Sequence, residues 1–250
     1  MRFDYFTKDS PHHMAPFFSA AMVKTYSTGI WLLGSALLLF WPKKAFYMYF
    51  QAGLEPFCTN GIYMAGIVIL SYISLRCGRG ELAQETDPIT RKKNKYHEEN
   101  RNFFSYGLIS FITHTLFFIC LLLPFFLIAG LLSGSPIRIF FQYLVILFLT
   151  ALLFRLIGFS AYMCVRRWHN FSYILTRFIF VFFFFLSSKF ISALNPLSMV
   201  HSLSKTSRMP DAFTITGSPG YLTIVAGLSV SLILLNAFIV SYKTNKWIRR

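Results

Sequence analysis

Residues Asn102–Val165 read NFFSYGLISFITHTLFFICLLLPFFLIAGLLSGSPIRIFFQYLVILFLTALLFRLIGFSAYMCV. Arg138 and Arg155 are the only Lys, Arg, Asp or Glu in this stretch. It divides at Ser133-Gly134-Ser135-Pro136 into two apolar runs, each longer than the roughly 20 residues needed to cross a bilayer. Lipid offers the backbone no hydrogen-bond partners, so an apolar run of this length is expected to be helical. The turn is short, which predicts an antiparallel hairpin. The third span of the chain covers Asn102–Leu132, with Pro124 expected to kink it or break it in two, and the fourth covers Ile137–Val165.

Working outward, similar runs occur at Phe18–Trp41, Phe57–Leu75, Phe171–Leu194 and Tyr221–Tyr242. The reading is an all-α, polytopic membrane protein with about six transmembrane helices, and residues 1–250 form one transmembrane domain. The composition agrees. Charged residues are 13% and hydrophobic residues 55%, whereas a soluble domain carries about 25% charged residues. Met1–Pro16 is polar and mixed in charge, so the first run reads as a retained span and not as a signal peptide.

Two polar stretches interrupt the apolar pattern. Residues 76–101 hold Arg76, Arg79, Arg91, Lys92, Lys93, Lys95 and Arg101 together with Glu81, Glu85, Asp87, Glu98 and Glu99. Asp87-Pro88 marks a break there, because the residue before proline is pushed out of the α region. Residues 195–220 are rich in Ser, Thr, Pro and Gly and read as a loop with one short helix. With six spans, one side of the membrane carries sixteen Lys and Arg and the other six, which places both termini and residues 76–101 in the cytoplasm and 195–220 outside.

All nine acids (Asp4, Asp9, Glu55, Glu81, Glu85, Asp87, Glu98, Glu99 and Asp211) fall outside the spans. A transporter driven by protons or Na⁺ usually carries a carboxylate at membrane depth, so that class is disfavoured. The net charge of +15 comes from basic residues flanking apolar runs, as membrane anchors do, and nucleic acid is not expected as a partner. The four cysteines form no CxxC pair, and no metal site is expected. There is no GxxxxGK[ST] phosphate loop and no HExxH. An enzyme site within the spans would have His114 as its one base. Two polar positions at depth stand out as possible substrate or anion contacts: His114 in the third span and Arg155 in the fourth. Arg177 and Lys189 lie nearer helix ends and are expected to snorkel.

The layout resembles the membrane subunit of type-2 ABC exporters, the permease class that works with a separate ATPase. The six-span arrangement, the long third span ending in a tight turn, the segment Arg79–Thr90 (RGELAQETDPIT) and Asn195-Pro196-Leu197-Ser198 carry the resemblance. It implies an ATPase-coupling role for Glu81, Glu85 and Asp87 with Arg91, Lys92 and Lys93 flanking, and an extracytoplasmic motif at Asn195 and Pro196. It also implies a cell-membrane location, a homodimer or pseudo-dimer of permeases, an ATP-binding-cassette partner, and no cofactor on this chain beyond the ATP held by that partner. The rival from another class is a non-transporting scaffold or assembly subunit of a larger membrane complex. A third is an intramembrane enzyme dependent on His114 or His201.

Overall fold

Apolar side chains surrounding a backbone that must satisfy its own hydrogen bonds dictate helices, and every described element is one. The computed structural model describes residues 20–41, 56–78, 108–132, 137–164, 169–187, 195–206 and 218–248. The helices are α1 (Ala20–Leu39), α2 (Pro56–Gly78), α3 (Ile109–Leu132), α4 (Ile137–Cys164), α5 (His169–Val181, continued as a π-helical turn over Phe182–Leu186), α6 (Pro196–Thr206) and α7 (Ser218–Ile248). Four contain segments long and apolar enough to cross a membrane: Asn60–Gly78, Phe111–Leu132, Ile137–Ala161 and Tyr221–Ile239. Helices of this length and apolarity mark the chain as a membrane protein. Lys24, Thr25, Ser27 and Thr28 dilute the first half of α1, and among the described residues the apolar part of α5, Tyr173–Leu186, is shorter than a span.

The expected hairpin boundaries agree with α3 and α4 within the described residues. Pro124 lies inside α3, which continues through it as one helix. The short helix expected in 195–220 is α6.

The α4 helix is the centre. Residues 150–156 are buried without interruption, so every face of that segment is covered. Contacts with α2, α3, α5, α6 and α7 supply the cover. Water cannot drive helix association inside a bilayer, so tight packing and interhelical hydrogen bonds must hold the bundle. Both occur where α2 meets α4. The Tyr63 and Tyr143 rings stack with centroids 3.9 Å apart and planes 10° off parallel. The Tyr143 hydroxyl also donates to the Tyr63 carbonyl at 3.0 Å. Phe126 of α3 meets both rings edge-on, with centroids 6.1 and 5.2 Å away. This geometry suits the charge distribution of aromatic rings. Gly66 makes room for it, since a β-carbon there would collide with Phe126 and the Tyr143 hydroxyl.

Residue pairs at two levels fix the helix directions. Tyr63 pairs with Tyr143, and farther along Gly78 pairs with Arg155, so α2 and α4 run the same way. Thr150 bonds Tyr221 at 2.8 Å and Ser160 donates to Asn236 at 2.9 Å, so α7 runs with them. Phe126 with Tyr143 and Phe111 with Arg155 make α3 antiparallel to α4. Tyr26 with Phe118 and Gly34 with Phe125 align α1 with α3.

Candidate functional site

The α3–α4 hairpin brings together the two polar residues that stand out at membrane depth. The Arg155 Nη2 group donates to His114 Nδ1 at 2.9 Å, and Nη1 reaches the Phe111 carbonyl at 3.4 Å. The guanidinium carbon lies 4.7 Å from the centroid of the Phe111 ring, within cation–π range. Arginine has donors only, so His114 Nδ1 must accept, which makes the imidazole the neutral tautomer with its proton on Nε2. Both side chains are buried, at 5% and 4% exposure.

A charge so placed normally has a carboxylate beside it. Every Asp and Glu of this chain lies outside the described residues. Among those residues, Arg155 is therefore held by a neutral imidazole, a carbonyl and a ring face, and its Nε has no hydrogen-bond partner.

Four helices close around this node. A small cavity is lined by Tyr26 of α1, Leu70, Ile73, Ser74 and Cys77 of α2, His114, Thr115 and Phe118 of α3, and Arg155 of α4. Tyr26 stacks on Phe118 with centroids 4.8 Å apart, and its hydroxyl has no hydrogen-bond partner among the described residues. Gly78 closes the α2 side. A β-carbon there would collide with the Arg155 carbonyl, so the helix backbones meet at this level.

Asn195 and Pro196 lie elsewhere and have a clear structural part. Asn195 is 1% exposed. Its Oδ1 accepts from the Leu197 and Ser198 amides at 2.8 and 3.2 Å, capping α6, and its Nδ2 donates to the Phe184 carbonyl at 3.1 Å. Pro196, the first helical residue, suits a position whose amide would have no helical partner. The pair thus starts α6 and ties it to α5. His201 on α6 lies 3.3 Å from the Asn60 side chain. Arg177 is half-buried, with its guanidinium over Tyr173 and Tyr72 at 4.3 and 5.2 Å, so it rests on ring faces. Glu81, Glu85, Asp87, Arg91, Lys92, Lys93, Lys189 and Asp211 lie outside the described residues. No group of three His, Cys, Asp or Glu that could hold a metal occurs among the described residues.

Reading the residues one at a time missed the meeting of His114 with Arg155, although the signal was available. His114 lies twenty residues before Gly134 and Arg155 twenty after Ser135, so an even hairpin sets them at one depth. Phe126 and Tyr143, eight residues from the same points, meet by the same symmetry. Tyr26, Ser74 and Cys77 had no such marker, because they come from helices outside the hairpin. Asn236 was passed over too, although a buried amide in an apolar helix should prompt a search for its partner, here Ser160.

Compared with models of known protein families, with curated proteins and with solved structures, the chain matches none.

Proposed function

We propose that this chain is the membrane-spanning permease subunit of an ABC-type exporter. It crosses the membrane about six times with both termini in the cytoplasm, works as a homodimer or pseudo-dimer, and is driven by a separate ATPase subunit. The observation that carries the proposal is the placement of charge. No carboxylate lies among the described helices, and the buried charge at their centre is the cation Arg155. Among the described residues there is no carboxylate to carry a proton or Na⁺ through the membrane, which favours energy supplied from outside the bundle.

Two further features support it. The described part of α2 ends at Gly78, next to the segment Arg79–Thr90 that resembles a coupling segment. There Glu81, Glu85 and Asp87 would meet the ATPase, with Arg91, Lys92 and Lys93 flanking them. The alternating directions of α1, α2, α3 and α4 are those of successive membrane crossings. The remaining crossings would be the one begun by α5 and that of α7. Alternating access would then be a rigid-body shift of helices biased by ATP binding to the partner. The location would be the cell membrane, as in a bacterial inner membrane. The hydrolytic chemistry would belong to the partner.

The test is co-purification of the tagged chain in mild detergent, wild type against Glu81→Ala/Glu85→Ala, with an ATPase assay of what is recovered. The proposal expects an ATP-binding-cassette subunit with the wild type and its loss or uncoupling in the variant. Recovery of other membrane subunits with no ATPase would favour the scaffold reading. Cysteines placed in 79–101 and 207–217 should label from opposite sides of sealed membranes, and labelling from one side would overturn the topology.

A further inference from the structure

We propose that the cavity between α1, α2, α3 and α4 is a binding site for a small anion of chloride size. The argument is independent of the permease reading and rests on the cavity wall. Its volume of about 10 Å³ is room for a single occupant near the size of a water molecule. Most of the wall is apolar, and the residues that line it include two with buried donors. Arg155, 5% exposed, lines it, and its Nε–H has no hydrogen-bond partner among the described residues. Tyr26, 7% exposed, lines it too, and its hydroxyl has no hydrogen-bond partner among the described residues. The Ser74 hydroxyl adds to the polar lining, whereas the Thr115 hydroxyl is committed to the Phe111 carbonyl, to which it donates at 2.8 Å. The imidazole Nδ1 that accepts from Arg155 is already engaged.

A positive charge in a low-dielectric setting is stabilised most by an opposite charge in contact. The described part of the chain contains no carboxylate to provide one. A halide accepts several hydrogen bonds from any direction, which suits a guanidinium and hydroxyls carried by different helices around one cavity. A water molecule would satisfy the donors but bring no opposite charge. Phosphate is larger than chloride and is the less suited of the two to so small a space.

The experiment uses the purified full chain in dodecyl maltoside. Thermal unfolding is followed at constant ionic strength while gluconate is replaced by chloride, bromide or inorganic phosphate. Direct binding is read from ³⁵Cl NMR line broadening. The proposal expects chloride and bromide to raise Tm saturably, phosphate to have no such effect, and the chloride line to broaden.

Tyr26→Phe keeps the charge and the ring stack and should weaken the apparent chloride affinity about tenfold, the scale of one hydrogen bond to an ion. Arg155→Met should abolish the response, and Ser229→Ala, a buried hydroxyl elsewhere, should leave it intact. A Tm indifferent to halide, with no line broadening, would mean that water alone fills the cavity and would overturn the proposal. An equal response to phosphate would overturn the size assignment. A response that survives Tyr26→Phe and Arg155→Met would place the anion elsewhere.

Discussion

Gly78 of α2 packs against the backbone carbonyl of Arg155 so closely that no β-carbon fits between them. The contact lies next to the polar node formed by Arg155 and His114 and at the end of the described part of α2. A methyl group at Gly78 must push α2 away from α4, since the obstacle is backbone and cannot rotate aside. Gly78→Ala is therefore expected to lower stability by about 1–3 kcal/mol, the usual cost of overpacking. Gly227 of α7 provides the control, because a β-carbon there meets nothing within 4 Å. Gly227→Ala should be neutral or stabilising by up to about 1 kcal/mol through helix propensity. Thermal unfolding of both variants in detergent checks the pair, and equal effects would contradict the packing account.

The Tyr63–Tyr143 pair separates hydrogen bonding from packing. Tyr143→Phe keeps the stacked ring and removes the donation to the Tyr63 carbonyl. Hydrogen bonds between membrane helices contribute about 0.6 kcal/mol on average, so the loss should be small. Tyr143→Ala also removes a fully buried ring from between Tyr63 and Phe126, and a loss of about 3–5 kcal/mol is expected. Reversible unfolding in mixed micelles should show this order, and comparable losses would make the hydroxyl the dominant contribution.

Much of this architecture was legible because bilayer-length apolar runs leave few alternatives to helix. The ends of α3 and α4 on either side of residues 133–136 follow from composition and from the expected turn chemistry of Ser133-Gly134-Ser135-Pro136. The Asn195-Pro196 pair was noticed as a motif, and its observed work as a buried cap is what Asn before Pro at a helix start does. Less legible was which helices surround α4. An apolar helix has no polar face to orient it, and rotation is set by packing details such as Gly66 beneath Phe126. The same limit hid the contributions of Tyr26 and Ser74 to the cavity. Phe182–Phe185 suggested a helix apolar all round. Phe184 is buried against Phe154 and Phe180 while Phe185 is exposed, a division that periodicity could not reveal in a run of identical residues.

The cap on α6 should be measurable apart from the rest of the fold. Asn195→Ala removes the acceptor for two backbone amides and the donor to the Phe184 carbonyl. A loss of about 1–2 kcal/mol is expected, toward the upper end for a cap because the residue is buried. Asn195→Ser can still cap but is too short to reach Phe184, so it should recover part of the loss. Thermal unfolding, together with proteolysis in the 195–206 region, distinguishes the two contributions. Full recovery by Ser would mean that the tie to α5 adds nothing.

His114 offers the clearest test of the polar node, because its role can be stated as one atom. Nδ1 accepts from Arg155, and nothing in the described surroundings requires the ring to gain a proton. His114→Phe keeps much of the ring volume but leaves the Arg155 Nη2 group facing carbon. Leaving a buried donor of a charged group unpaired costs about 1–3 kcal/mol or more. His114→Gln restores a carbonyl acceptor of similar reach and should recover most of that stability, because the node asks for an acceptor and not for acid–base chemistry. If instead Gln and Phe lower a measured transport or ATPase-coupling activity equally, while Gln alone restores Tm, the imidazole has a role beyond holding Arg155. In that case the intramembrane-enzyme reading, which depends on His114 as its one base in the spans, regains ground.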